Sequence, residues 1–203
     1  MDAHAWNERY AGQEPVWSLT PNMFVERELS SLGPGTAVDL AAGEGRNAIW
    51  LARRGWRVTA VDFAQAGLDR GRALAEDLPI EWVCADATTW TSPVPVGLVL
   101  VAYLQLPPLQ RRAAVVAAWR NLELGGTFFW VGHDSTNLTE GTGGPSDPDV
   151  LMTAEDVLAD LDAASAAYGL VHAGRVARPV GEGHQGEEPR TAWDCLVRVV
   201  RQA

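Results

Sequence analysis

Apolar residues along this 203-residue chain fall in short continuous runs, separated by stretches with helical spacing. The first run, Thr36 to Leu40, ends in the turn Ala42-Gly43-Glu44-Gly45 and reads as a strand. A helix is expected from about Asn47 to Arg54, with Gly55 well placed as its C′ residue. Trp56 to Asp62 reads as a second strand, Gln65 to Leu78 as a helix with Leu68, Ala75 and Leu78 near one face, and Ile80 to Ala85 as a third strand. Val96 to Ala102 is apolar throughout, as expected for a parallel strand covered on both faces. Pro107 opens a helix to about Leu122, and Gly125-Gly126 leads into a fifth strand, Thr127 to Gly132. The segment His133 to Val150 is rich in Gly, Pro, Ser, Thr and Asp, and a loop of that length inside a domain is often functional. Thr153 and Asp156 form a capping-box pattern for a helix running to Tyr168, which Gly169 ends. Leu170 to Val180 and Thr191 to Val200 are two more strands, joined by the polar stretch Gly181 to Arg190. The β-α-β-α order predicts a doubly wound α/β sheet of seven strands, mostly parallel, with right-handed crossovers. The last two strands have no helix between them and are expected to form a C-terminal antiparallel hairpin at one edge.

Composition narrows the chemistry. All sixteen basic residues are arginine. The lack of lysine excludes a pyridoxal Schiff base, a P-loop lysine and a Ser-Lys dyad, each of which needs an amine. The net charge is -10 and no block of arginines is longer than a pair, so a nucleic-acid backbone or an anionic membrane meets net repulsion. A small-molecule substrate is expected instead, with no nucleic acid and no membrane as partner. The length suits one domain, 1–203, which can bury about 70% of its unfolded surface without disulfide staples. Cys84 and Cys195 lie far apart in apolar runs and read as buried free thiols in a reducing, cytoplasmic setting. Met1 to Tyr10 lacks the charged start and apolar stretch of a signal peptide, and no apolar run approaches the ~18 residues of a membrane span. A monomer or homodimer is expected.

Residues able to carry chemistry gather where the predicted strands end. In Val38-Asp39-Leu40-Ala41-Ala42-Gly43-Glu44-Gly45-Arg46-Asn47, glycines sit where the first strand turns into the first helix. Open α/β sheets bind ligands beyond the carboxyl ends of their strands. Glycine lets the backbone take positive φ and approach a ligand closely, and the helix start presents free N–H groups. Asp62, seventeen residues after Gly45, ends the second strand and is placed to accept hydrogen bonds from two ribose hydroxyls. The plainer alternative is a surface acid capping the next helix. Asp86 ends the third strand, beside an adenine edge or as a solvated turn acid. Gly43-x-Gly45-x-x-Ala48 also matches the dinucleotide fingerprint, so NAD(P) is an alternative cofactor. Asp39 counts against it, because an acid just there repels a pyrophosphate but can orient the turn near an amine-bearing or cationic ligand. Nor does anything after the fifth strand look like a separate substrate domain.

The glycine turn resembles the first motif of class I S-adenosylmethionine-dependent methyltransferases. The resemblance extends to Asp62, to Asp86-Ala87, to the fourth-strand end Ala102-Tyr103-Leu104-Gln105, to the glycine pair before the fifth strand and to the terminal hairpin. The form Gly-Glu-Gly-Arg-Asn, with Trp6, Tyr10, Trp17 and Pro21-Asn22, is most similar to the small tellurite-resistance and thiopurine-type branch. Ala41-Ala42 departs from it, standing where many members have Gly-Cys or Gly-Ser, which narrows the turn. The resemblance implies a Rossmann-like fold and S-adenosyl-L-methionine as cofactor. It brings Gly43 and Gly45 close to the methionine moiety, makes Asp39, Arg46 and Asn47 cofactor-binding as well, and puts Asp62 on the ribose and Phe63 on the adenine. Asp86 and Ala87 then meet the adenine amine and ring, while Tyr103, Leu104 and Gln105 line the methyl-transfer side. It makes residues 1–34 a cap over the pocket of the core 35–203, with Trp17 and Asn22 helping to close it.

The acceptor is less constrained. A thiol or chalcogenide anion needs no general base, whereas a natural-product hydroxyl does. His133, at the end of the fifth strand, is the candidate base; it and Asp134 are adjacent in a strand and point apart, so they are no dyad. His184 lies in a polar loop able to act as a lid. Arg175 and Arg178 are candidates for an anionic acceptor, or for pairing with surface acids. The four histidines are too dispersed to argue for a metal. Nine tryptophans, with Trp17 and Trp90 in loops, favour a small apolar or soft acceptor. A non-catalytic S-adenosylmethionine-binding module is the remaining alternative.

Overall fold

A computed structural model describes residues 3–12, 20–181 and 190–203. Seven strands make one sheet: Thr36–Leu40 (β1), Arg57–Asp62 (β2), Ile80–Cys84 (β3), Val96–Ala102 (β4), Leu122–His133 (β5), Tyr168–Val180 (β6) and Arg190–Arg201 (β7). Their spatial order is β3-β2-β1-β4-β5-β7-β6. β1 to β5 pair in parallel and β7 runs antiparallel to both β5 and β6. This is the expected doubly wound sheet with a terminal hairpin. The strand order reverses between β1 and β4, which opens a crevice beyond their carboxyl ends. Seven helices accompany the sheet among the described residues: Ala3–Tyr10 (α1), Met23–Leu29 (α2), Arg46–Arg53 (α3), Gln65–Ala75 (α4), Pro108–Arg120 (α5), the single turn Asn137–Glu140 (α6) and Ala154–Ala163 (α7). None of them is long and apolar enough to cross a membrane.

The period-2 alternation of the strands sorts the core onto two faces. Val99 and Val101 of β4, with Phe128 and Trp130 of β5, pack against Val115 of α5 and Val157 and Leu161 of α7. Leu98 and Leu100, with Phe129 and Val131, pack on the other face against Phe24 and Leu29 of α2 and Leu51 of α3. α2 is therefore a core helix, and α1 is the helix before β1 that lies beside the site.

Four local expectations are corrected. The last helix stops at Ala163 instead of Tyr168, because Ser165 takes φ 54 and the Ala166 N–H turns back to the Leu161 carbonyl. Tyr168 is thereby released into β6, where its ring meets Trp119 edge-on at 6.3 Å. β5 begins at Leu122, which pairs with Val96 before the register shifts ahead of Thr127. The 133–150 connection is not all loop: it holds α6 and a 3-10 turn, Pro148–Val150. Finally, Cys84 is exposed, because β3 is the sheet edge; Cys195, on the inner strand β7, is fully buried, and both thiols are free.

Candidate active site

The chain leaves β1 through three left-handed residues: Ala41 (φ 61), Gly43 (φ 56) and Gly45 (φ 73). A Cβ on Gly45 would lie 2.4 Å from the Trp82 indole, so the turn needs glycine there for space as well as conformation. Ala41 holds the same conformation with a methyl group, at a cost of about 1–2 kcal/mol. Gly45 is the N-cap of α3 and has no side chain to satisfy that helix's first N–H groups. Asp39 does so from within β1, its Oδ2 accepting from the Ala48 N–H at 3.1 Å. The carboxyl is buried, and this desolvation raises its pKa to about 7 despite the Ala48 N–H and the nearby Arg46 charge.

Asp62 ends β2 and supports the same turn. Its Oδ2 accepts from the Gly43 N–H at 2.8 Å and its Oδ1 from the Ala64 N–H at 2.8 Å. Burial raises its pKa too, with the N–H groups of Ala64, Gly43 and Phe63 opposing. An ionised carboxylate has about four lone-pair sites, so two backbone bonds leave acceptor capacity for a ligand. The capping reading of Asp62 and the ligand reading are therefore compatible. The next helix, α4, lacks a side-chain cap of its own; Asn7 of α1 reaches across, its Oδ1 accepting from the Ala66 N–H at 2.9 Å.

These groups surround a cavity of about 320 Å³ at the switch point, near the lower limit of small-molecule sites. Gly43, Arg46 and Asn47 form one wall, with Asp62 and Phe63 beside them. Tyr103, Leu104 and Gln105 form the opposite wall after β4. These eight residues are where the sequence reading places a ligand. Other expected residues lie off the wall. Asp39 sits beneath the turn, and Gly45 packs on Trp82. Asp86 is exposed, its Oδ1 taken by the Thr88 N–H at 2.8 Å and the Thr88 hydroxyl at 2.7 Å, and Ala87 is buried in the core. Asn22 is buried behind the wall as the N-cap of α2. Its backbone N–H donates to Asn47 Oδ1 at 2.9 Å, and its Nδ2 donates to the Tyr103 hydroxyl at 3.3 Å. Trp17 and His184 lie outside the described residues.

His133 is also off the wall, its ring 4.9 Å from that of Tyr103. As expected, Asp134 turns away from it, bonding the N–H and hydroxyl of Thr136. The carboxylate that His133 does approach is Asp194, its cross-strand partner on β7, with Nδ1 to Oδ1 at 3.2 Å but off hydrogen-bonding alignment. Asp194 is fully buried and its Oδ2 accepts from the Tyr103 hydroxyl at 2.8 Å and from Arg178 Nε at 2.6 Å. Burial disfavours its charge, but His133 and the Arg178 hydrogen bond and charge outweigh that and hold the carboxyl below its usual range. Burial and the Asp194 charge push the Tyr103 phenol well above its own. Arg175, by contrast, pairs at the surface with Glu140 at 2.7 Å.

Trp6 and Tyr10 of α1, within the expected cap segment 1–34, also line the cavity, and Pro145, Asp147 and Val150, which were not assigned to it from sequence, come from the long connection after β5. The length of that connection suggested a functional loop without showing which residues turn inward.

Residues 37–126 match the family described as "Methyltransferase domain". No curated protein matches the sequence. Among solved structures, the fold is similar to the N-methyltransferase NodS from Bradyrhizobium japonicum WM9, solved with S-adenosyl-l-homocysteine: TM-score 0.72, 19% identity, 99% of this chain and 98% of that one. It is similar to TehB from Haemophilus influenzae, with TM-score 0.71 and 13% identity over 97% of this chain and 66% of that one. A third, described under "Conversion of a Disulfide Bond into a Thioacetal Group during Echinomycin Biosynthesis", has TM-score 0.71 and 19% identity over 98% of this chain and 92% of that one. The sequence match spans the glycine turn and the strands that build the cavity, and the fold of the chain is similar to that of these solved structures throughout.

Proposed function

We propose that the cavity binds S-adenosylmethionine and that the protein transfers its methyl group to a small-molecule acceptor. The observation that carries this reading is the joint placement of Asp62, Phe63 and the Gly43 turn on one wall, opposite Tyr103 to Gln105. The residues present fit the group. Asp62 offers carboxylate lone pairs to a ribose diol, Phe63 an apolar face to adenine, and Arg46 and Asn47 charge and polarity to an amino-acid end. When bound, S-adenosylmethionine supplies a methyl group already activated by its sulfonium. The chain's task is to hold the acceptor in line and exclude water, which is worth several kcal/mol of barrier.

A soft acceptor, a thiol or chalcogenide, is the reading we favour over a natural-product hydroxyl. His133, the proposed base, faces Asp194 behind Tyr103, while the wall beyond β4 presents Tyr103, Leu104 and Leu106. Likeness to a neighbour described under the conversion of a disulfide bond into a thioacetal group accords with sulfur chemistry, and the N-methyltransferase NodS makes an amine the competing class. The two free thiols support a reducing, cytoplasmic setting, and we read the protein as a monomer or homodimer there.

Calorimetric titration with S-adenosylhomocysteine and with NADH tests the cofactor. Tight S-adenosylhomocysteine binding is expected; NADH binding alone would replace this reading with an oxidoreductase. A radiolabelled-methyl transfer screen over thiols, phenols, amines and RNA tests the acceptor. Labelling of RNA or protein alone would end the small-acceptor reading, and no transfer to anything would leave a binding module.

A further inference from the structure

Tyr103 stands out on the cavity wall. It is a bulky residue in the left-handed region, φ 59, where glycine is the usual occupant. Such a conformation persists only where its surroundings over-determine it. Four groups from distant parts of the chain do so. Asn22 donates to its hydroxyl, the hydroxyl donates to Asp194, the Arg178 guanidinium lies 5.6 Å from the ring centroid, and the His133 ring packs at 4.9 Å, tilted by 52°. Two of these, Arg178 and His133, also meet Asp194, which has no exposure to the cavity or to solvent. The antiparallel register sets this meeting: β7 places Asp194 opposite His133 on β5 and opposite Val176 on β6, two residues from Arg178.

Resting on the methyltransferase reading, we propose that Asp194 is a positioning residue that acts through Tyr103. From the C-terminal hairpin it fixes the aromatic wall against which the transferable methyl group and its acceptor lie. The carboxylate takes the phenol proton's hydrogen bond and anchors Arg178 over the ring, so the ring cannot relax by rotating about its side-chain torsions. The hairpin then does more than close the sheet edge: its buried charge sets the shape of the acceptor side. A purely structural Asp194, present only to neutralise Arg178, would influence stability and leave the cavity wall unchanged.

The test uses the full chain with S-adenosylmethionine labelled with 13C at the methyl group, a probe that needs no known acceptor. The resonance of the bound methyl reports the aromatic ring beside it. In Asp194→Asn and in Tyr103→Phe this resonance is expected to move away from its wild-type position, and in Asp194→Asn, whose side chain does not line the cavity, calorimetric affinity for S-adenosylhomocysteine stays within about threefold, the pattern of lost positioning without lost cofactor binding. Tyr103→Phe keeps both the ring and the Asp194–Arg178 pair, so it decides the matter if Asp194→Asn does not fold. A wild-type methyl resonance in either folded variant overturns the proposal. Failure of the wild-type protein to bind the labelled cofactor would instead overturn the reading on which it rests.

Discussion

Replacing Asp39 with Asn probes the acid beneath the glycine turn. Its carboxyl is 1% exposed, and burial moves its pKa from 3.8 to about 7. The folded state therefore binds this proton more tightly than the unfolded chain does. The resulting stability is fully present below the unfolded value of 3.8 and is lost as pH rises through about 7. A shift of that size corresponds to a loss on the order of 4 kcal/mol, since each pKa unit is about 1.4 kcal/mol. Asn is nearly isosteric, its side-chain oxygen can still accept from the Ala48 N–H, and it does not titrate. The two proteins are thus expected to be nearly equal in stability near pH 4. Asp39→Asn should become progressively more stable than wild type, by on the order of 4 kcal/mol near pH 8. Urea unfolding without ligand at a series of pH values measures the difference directly; groups remote from Asp39 cancel, whereas Asp62, whose charge adds to the Asp39 shift and whose own raised pKa acts in the same direction, contributes to the difference. Parallel stability curves for the two proteins would refute the reasoning, as would a wild type that gains on the variant with rising pH.

Asp62→Asn keeps one acceptor but faces either the Gly43 or the Ala64 N–H with an amide donor. Affinity for S-adenosylhomocysteine should fall about ten- to a hundredfold, as for loss of charge-assisted hydrogen bonds; an unchanged dissociation constant by calorimetry would reduce Asp62 to a support for the turn. Ala41→Gly should stabilise the protein by about 0.5–1 kcal/mol in urea unfolding, because relief of the left-handed strain exceeds the added freedom of the unfolded chain. Gly71→Ala puts a Cβ 2.5 Å from the Trp82 ring and 2.7 Å from the Glu44 carbonyl oxygen, and should lower stability by about 1–3 kcal/mol; a melting temperature equal to wild type would show that Trp82 yields freely.

Much of this molecule was legible in the linear chain because local rules and tertiary demands agree. β4 is apolar at both faces because helices cover both, and the pattern Val96 to Ala102 shows that directly. Asp39, the glycine turn and Asp62 lie within one β-α-β unit, where strand ends and helix starts are fixed by short-range spacing. Eight of the expected ligand residues line the cavity for the same reason. Asp86 shows the limit: its place after β3 was readable, yet its side chain closes on Thr88 instead of opening to the cavity.

The linear chain alone yields the succession of strands and helices and the glycine turn with its two acids, all properties of neighbouring residues, whereas the reversal of strand order between β1 and β4 belongs to the folded sheet. Only the tertiary structure decided that Asn22, Tyr103, His133, Arg178 and Asp194 converge, and that Asn7 caps α4. Those pairings join positions separated by 59 to 91 residues in the cases of Asn7 with Ala66, Asn22 with Tyr103 and Tyr103 with Asp194. Such contacts leave no periodic trace in the chain, because strand register and helix docking, and not sequence spacing, bring the partners within reach.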